Sequence, residues 1–128
     1  MKHFISLAEL SAEEIWTILD TALDLKQSWQ TGGNDPILQD KILAMVFQKP
    51  SLRTRVSFDV GMLHLGGHAL YLSPAEIGLG GRESVPDVAR VLSGYVDGIM
   101  ASLSPAYARR AVGRTQATFH EFLTTTAT

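Results

Sequence analysis

The segment Ile42-Leu43-Ala44-Met45-Val46-Phe47 is six apolar residues long and has no polar alternation. A half-exposed strand alternates, whereas a strand covered on both faces does not, so this run predicts a central strand of a parallel sheet. It leads into Gln48-Lys49-Pro50-Ser51, and then into Leu52-Arg53-Thr54-Arg55-Val56-Ser57-Phe58. Pro50 and Ser51 suit a helix entry, because proline is poorly tolerated further in and serine can cap the unpaired N–H groups of the first turn. Strand, polar turn and helix in that order form the passage at which α/β proteins bind anions. Two guanidinium groups, the hydroxyls and the positive end of the helix dipole meet there, and phosphate is the ligand that such a cluster fits.

The rest of the chain supplies a sheet for that strand. Ser11-Ala12-Glu13-Glu14 is a capping box, and Ile15, Trp16, Ile18, Leu19, Ala22, Leu23 and Leu25 follow at helical spacing until Thr31-Gly32-Gly33-Asn34-Asp35-Pro36. A helix from Leu52 to Leu65 is expected to stop at Gly66-Gly67. His68 to Leu72 reads as a second strand, residues 73–82 as a glycine-rich loop, Glu83 to Tyr95 as a helix with Pro86 in its first turn, and Gly98 to Ala101 as a third strand. The β-α-β-α-β order predicts an α/β fold of three layers, α/β/α, about a central parallel sheet with right-handed crossovers.

Composition excludes several function classes. With 45% hydrophobic and 19% charged residues the chain is a globular one, and 128 residues make one domain. A net charge of -2 offers no general attraction to nucleic acid or anionic membranes. No stretch approaches the roughly 18 apolar residues of a membrane helix, and Met1-Lys2-His3-Phe4 opens no signal peptide, so a cytoplasmic location is expected. The absence of cysteine removes disulfides, thiolate catalysis and cysteine zinc sites. His64 and His68 are four apart, but Gly66-Gly67 between them breaks the helix that would align them; no metal site is expected. Asp59 and Asp87 read as helix-surface or bracing charges, and Trp16, Trp29 and the three tyrosines lack the basic interleaving of a base-stacking surface.

The run Lys49-Pro50-Ser51-Leu52-Arg53-Thr54-Arg55-Val56-Ser57-Phe58, followed by Gly61-Met62 and Leu65-Gly66-Gly67, resembles the carbamoyl-phosphate signature of the aspartate/ornithine carbamoyltransferase family. Leu70-Tyr71-Leu72, Gly78-Leu79-Gly80, Arg82-Glu83-Ser84, Asp87 to Leu92 and Asp97-Gly98-Ile99 continue the resemblance in order, over about residues 1–101. The Lys-Pro-Ser-Leu form is more similar to ornithine carbamoyltransferases than to the aspartate enzymes. The resemblance implies the family's N-terminal domain, with no cofactor, in a chain whose relatives form homotrimers. It implies transfer of a carbamoyl group from carbamoyl phosphate to the side-chain amine of ornithine, a step of arginine metabolism. Aspartate or another amine, or a non-catalytic binding or subunit-interaction module, are the alternatives. By position, Ser51, Leu52 through its backbone N–H, Arg53 and Thr54 are implied to hold the phosphate, with Arg53 the catalytic residue. Arg55 is expected to brace the loop through an ion pair. The loop from Ser73 to Arg82 is implied to reach a neighbouring subunit, and Glu76 falls near a position where many members carry glutamine.

Residues 102–128 differ in character, with Arg109, Arg110 and Arg114 against one acid, Glu121, and six threonines. Such a segment is either a binding arm or a disordered tail, although Gln116 to Leu123 has possible helical spacing. The resemblance leads one to expect an arginine where Ser102 stands, then a His-Pro-x-Gln motif and a second domain for the amino acid. Their absence points to a domain incomplete at its C-terminal end and to a frameshift. Threonine codons are ACN, and Thr124 to Thr128 read from the third base can encode Asp-Tyr-Cys-His.

Overall fold

The computed structural model describes residues 4, 6–77, 85–102 and 118–121. After a 3-10 turn at Leu7–Glu9, the elements are α1 (Ala12–Thr31), β1 (Ile42–Phe47), α2 (Leu52–His64), β2 (His68–Leu72), α3 (Pro74–Ile77), α4 (Val85–Ser93), β3 (Gly98–Ser102) and β4 (Thr118–Glu121). The four strands are parallel, in the order β2-β1-β3-β4.

The unalternating run of β1 is buried from Leu43 to Phe47, as its composition requires. Its side chains divide between two layers. Leu43, Met45 and Phe47 join Met100 of β3 and pack on Phe58 and Met62 of α2. Ala44 and Val46 join Ile99 and Ala101 and pack on Val88, Ala89 and Leu92 of α4. Helices therefore cover both faces, and the predicted three-layer α/β/α architecture is present. Burial of these two clusters is what holds the sheet, at about 25 cal/mol per Å² of apolar surface removed from water.

Local chemistry fixes the element ends. In α1, the Glu14 N–H donates to the Ser11 hydroxyl at 3.1 Å and the Ser11 N–H donates to the Glu14 carboxylate at 3.3 Å, so the capping box forms. Gly66 takes φ +86 at the end of α2, a left-handed value that favours glycine. A side chain at Gly67 would meet the Leu38 and Lys41 carbonyl oxygens at 3.0 Å, so the glycine pair lets the 36–41 turn cross close over it. At the amino end of the sheet, Asp97 accepts from the Ile42 N–H at 2.9 Å and lies 3.8 Å from the Lys41 ammonium, joining the starts of β1 and β3.

Two expectations change. The loop after β2 contains the short helix α3, nucleated by Ser73 and Glu76, while residues 78–84 lie outside the described residues. The helical spacing of Gln116 to Leu123 does not produce a helix: Thr118–Glu121 is a strand, paired in parallel with Gly98 to Ala101. The open backbone edge of β3 offers a row of hydrogen-bonding groups, and satisfying it outweighs a weak local period. The rest of the tail, 103–117 and 122–128, lies outside the described residues.

In α1, among the described residues, no side chain is buried, and Trp16, Leu19 and Leu23 are 63%, 48% and 64% exposed. Its last turns are held to α2 by the Trp29 indole, which stacks on the His64 imidazole with ring centroids 3.5 Å apart and planes 14° from parallel.

Candidate anion-binding site

Chain direction places the site. From β1 the chain crosses by α2 to β2 on one side, and then returns by α4 to β3 on the other. β1 is thus the strand at which the winding reverses, and open α/β sheets bind ligands in the crevice at the carboxyl ends of the strands flanking such a point. The turn after β1, residues 48–51, opens there. The Gln48 N–H donates to the Ser102 carbonyl at 3.0 Å, so the turn leaves the sheet beside the carboxyl end of β3.

The start of α2 is built differently from that of α1. Ser51 is the N-cap residue, with φ -144 and ψ 101, but its side chain makes no capping hydrogen bond, contrary to the capping role expected of it. Its hydroxyl donates instead to the Thr54 hydroxyl at 3.0 Å. The first intrahelical bond runs from the Arg55 N–H to the Ser51 carbonyl at 3.1 Å, which leaves the Leu52, Arg53 and Thr54 N–H groups without a partner among the described residues. No acid stands in this first turn. Two cations, Arg53 and Arg55, sit instead at the positive end of the helix dipole, an arrangement that costs stability until an anion arrives. Ser51, Leu52, Arg53 and Thr54 are thus brought together on one turn. The Leu52 side chain is 76% exposed, so its contribution to a ligand there falls to its backbone.

The two arginines have different surroundings. Arg53 is exposed, and among the described residues no carboxylate pairs with its guanidinium. Among the described residues Arg55 does not show the expected ion pair: its guanidinium carbon lies 3.9 Å from the centroid of the Tyr71 ring, on β2. Tyr71 itself packs on Phe47, with ring centroids 5.5 Å apart. Tyr71 was missed because the tyrosines show no basic interleaving in the sequence, and Arg55 reaches it only through the fold.

Glu76 is engaged at the start of its own helix. Its carboxylate accepts from the Ser73 N–H at 3.0 Å, and its N–H donates to the Ser73 hydroxyl at 3.2 Å. The backbone hydrogen bond from Ser73, with the side-chain one behind it, holds the carboxyl below its ordinary value of 4.5. The Ser-x-x-Glu spacing that announces this capping box is visible in the sequence. Ser102, where the resemblance calls for an arginine, ends β3 opposite Phe47 and brings no cation to the crevice. Among the described residues no group of three or more His, Cys, Asp or Glu could hold a metal ion, and no helix is long and apolar enough to cross a membrane. His64 is engaged by Trp29.

The sequence profile of the aspartate/ornithine carbamoyltransferase carbamoyl-P binding domain matches residues 2–121. The chain belongs to this family. The match runs through β4. The anabolic ornithine carbamoyltransferase of Pyrococcus furiosus is 54% identical over 100 residues, which are 78% of this chain and 32% of that protein. The solved structure of ornithine carbamoyltransferase from Pyrococcus furiosus superposes with a TM-score of 0.90 at 45% identity, over 94% of this chain and 39% of the other. The catalytic subunit of M. jannaschii aspartate transcarbamoylase gives a TM-score of 0.84 at 37% identity, over 94% of this chain and 40% of that one. The chain spans about a third of the length of the curated carbamoyltransferases it matches.

Proposed function

We propose that this chain is the carbamoyl-phosphate-binding part of an ornithine carbamoyltransferase, in which the δ-amine of ornithine attacks the carbonyl of carbamoyl phosphate to give citrulline and phosphate. The observation that carries the reading is the uncapped first turn of α2 at the carboxyl end of β1, with Arg53 beside it. Ornithine rather than aspartate is supported by the Lys49-Pro50-Ser51-Leu52 text and by relatives named ornithine carbamoyltransferase at about half identity. Aspartate transcarbamoylases share the fold, so aspartate is the second reading.

The N–H groups of Leu52, Arg53 and Thr54 and the Ser51 and Thr54 hydroxyls would take the phosphoryl oxygens, as helix starts do. The Arg53 guanidinium gives fork-like, charge-assisted bonds to the same group. In the reaction a neutral amine adds to the carbonyl, negative charge grows on the carbonyl oxygen, and the C–O bond to phosphate then breaks with its electron pair leaving on phosphate. The amine's proton passes to the departing phosphate as the tetrahedral adduct collapses. No covalent enzyme intermediate is required, so the chain's contribution is positioning and charge stabilisation. Arg53 serves as the catalytic residue by stabilising the departing phosphate.

The amine-selecting residues belong to the portion of the relatives that this chain does not match. Ser102 also adds no positive charge. Phosphate-type ligand binding without turnover is therefore the activity expected of these 128 residues alone, with assembly into a homotrimer and a cytoplasmic location expected of the family's whole enzyme. Titration calorimetry with carbamoyl phosphate tests the reading: one site per chain is expected, weakened at least tenfold in Arg53→Ala. Folded protein that releases no heat with carbamoyl phosphate contradicts it.

A further inference from the structure

We propose that Tyr71 is a positioning residue for the anion site, acting through Arg55; the proposal rests on the phosphate-binding reading above. The first turn of α2 lacks a side-chain cap and an acid, and it carries two arginines against the helix dipole. Left alone, such a turn frays, and its N–H groups lose their common direction. The guanidinium of Arg55, 3.9 Å from the Tyr71 ring centroid, fastens that turn to β2. Tyr71 is in turn anchored by Phe47, the last residue of β1, at 5.5 Å between ring centroids. A connected path thus runs from the end of β1 through Tyr71 of β2 to the first turn of α2.

The same contact divides the labour of the two arginines. Arg55 is drawn onto the aromatic face, while Arg53, two residues earlier, has no carboxylate partner among the described residues. The ring keeps the second guanidinium from competing for the ligand and keeps the turn aimed at the crevice. A carboxylate in place of Tyr71 could also hold Arg55, but it would place a negative charge beside a phosphate site. An aromatic face anchors a cation without that repulsion.

The test is a double-mutant cycle on phosphate binding by the full chain, with inorganic phosphate as the titrant. Arg55→Met changes an exposed side chain, and Tyr71→Phe keeps the ring. Arg55→Met and Tyr71→Leu are each expected to weaken phosphate binding about three- to tenfold. The double variant should bind no more weakly than either, and Tyr71→Phe should bind as the parent does. Additive losses, or unchanged affinity in Tyr71→Leu, would overturn the proposal. Should Tyr71→Leu fail to fold, the Arg55 side-chain proton shifts decide: upfield ring-current positions in the parent and in Tyr71→Phe support it, and unshifted signals overturn it. A parent chain that binds no phosphate, with the Arg55 signals shifted as expected, overturns instead the reading of the site.

Discussion

The Ser51 hydroxyl donates to the Thr54 hydroxyl at 3.0 Å rather than capping the helix that Ser51 begins. The helices α1 and α2 thus both start with serine and use it differently. In α1 the Ser11 side chain accepts from the Glu14 backbone and closes the helix end. In α2 the end is left open, at the place where the sheet's winding reverses.

That contrast is testable by two alanine substitutions. Ser11→Ala removes a cap and should cost about 1 kcal/mol of stability, within the usual range for such losses. Ser51→Ala removes no cap and should leave the melting temperature within a degree or two of the parent, on the order of 0.3 kcal/mol, while weakening phosphate binding several-fold. Paired thermal melts and phosphate titrations check both; equal destabilisation by the two substitutions would contradict the open-end account.

Phosphate should stabilise the folded chain by mass action, since the first turn of α2 offers its N–H groups only when formed. A ligand at a hundred times its dissociation constant adds about 2.7 kcal/mol. The melting temperature is expected to rise with phosphate and to stay flat in Arg53→Ala. The comparison is made against chloride at matched ionic strength, so that screening alone is excluded.

Glu76 gives a pH dependence with a defined sign. Its folded carboxyl lies below the ordinary value of 4.5, because the Ser73 backbone and side chain donate to the charged form. Its support of α3 is therefore fully present above that ordinary value and is lost as pH falls through the lowered folded value. A carboxyl chemical-shift titration should place the Glu76 midpoint below 4.5, with the Ser73 amide moving alongside it. Glu76→Gln should remove the acid step from the Ser73 amide.

Glycine substitutions separate necessity from accident. A Cβ at Gly67 would lie 3.0 Å from two backbone oxygens and 2.6 Å from the Met62 methyl carbon, so Gly67→Ala should destabilise by about 1–3 kcal/mol. Gly61, inside α2, has nothing within 4 Å of such an atom, and Gly61→Ala should stabilise by up to about 1 kcal/mol. Denaturant unfolding of both variants reads the two signs.

Trp16, Leu19 and Leu23 lie on one side of α1 at spacings of three and four, and all are exposed. An apolar stripe of this kind favours association. Light scattering should show self-association of the chain that Leu23→Glu reduces, and a monodisperse monomer at all concentrations would contradict the expectation.

Much of this arrangement was legible in the residues. The unbroken apolar run of β1 revealed a strand covered on both faces, and the text from Pro50 to Arg55 marked the strand-to-helix turn directly after it. What escaped were relationships made across the sheet. Arg55 was expected to meet a carboxylate, yet its partner is the ring of Tyr71, sixteen positions away in sequence and brought near by parallel pairing of β2 with β1. The strand Thr118–Glu121 was unreadable because its pairing is with the edge of β3, and four residues hold too little period to announce it. The role of Ser51 could not be read either: serine before a helix looks the same whether it caps the end or leaves it open.

A phosphate group received by the first turn of α2 is read at the backbone itself by amide chemical-shift mapping with inorganic phosphate. The Leu52, Arg53 and Thr54 amide signals are expected to move together with one dissociation constant in the parent chain, and not to move in Arg53→Ala. Perturbations that fall elsewhere on the chain, or none at phosphate concentrations that saturate such sites, would contradict it.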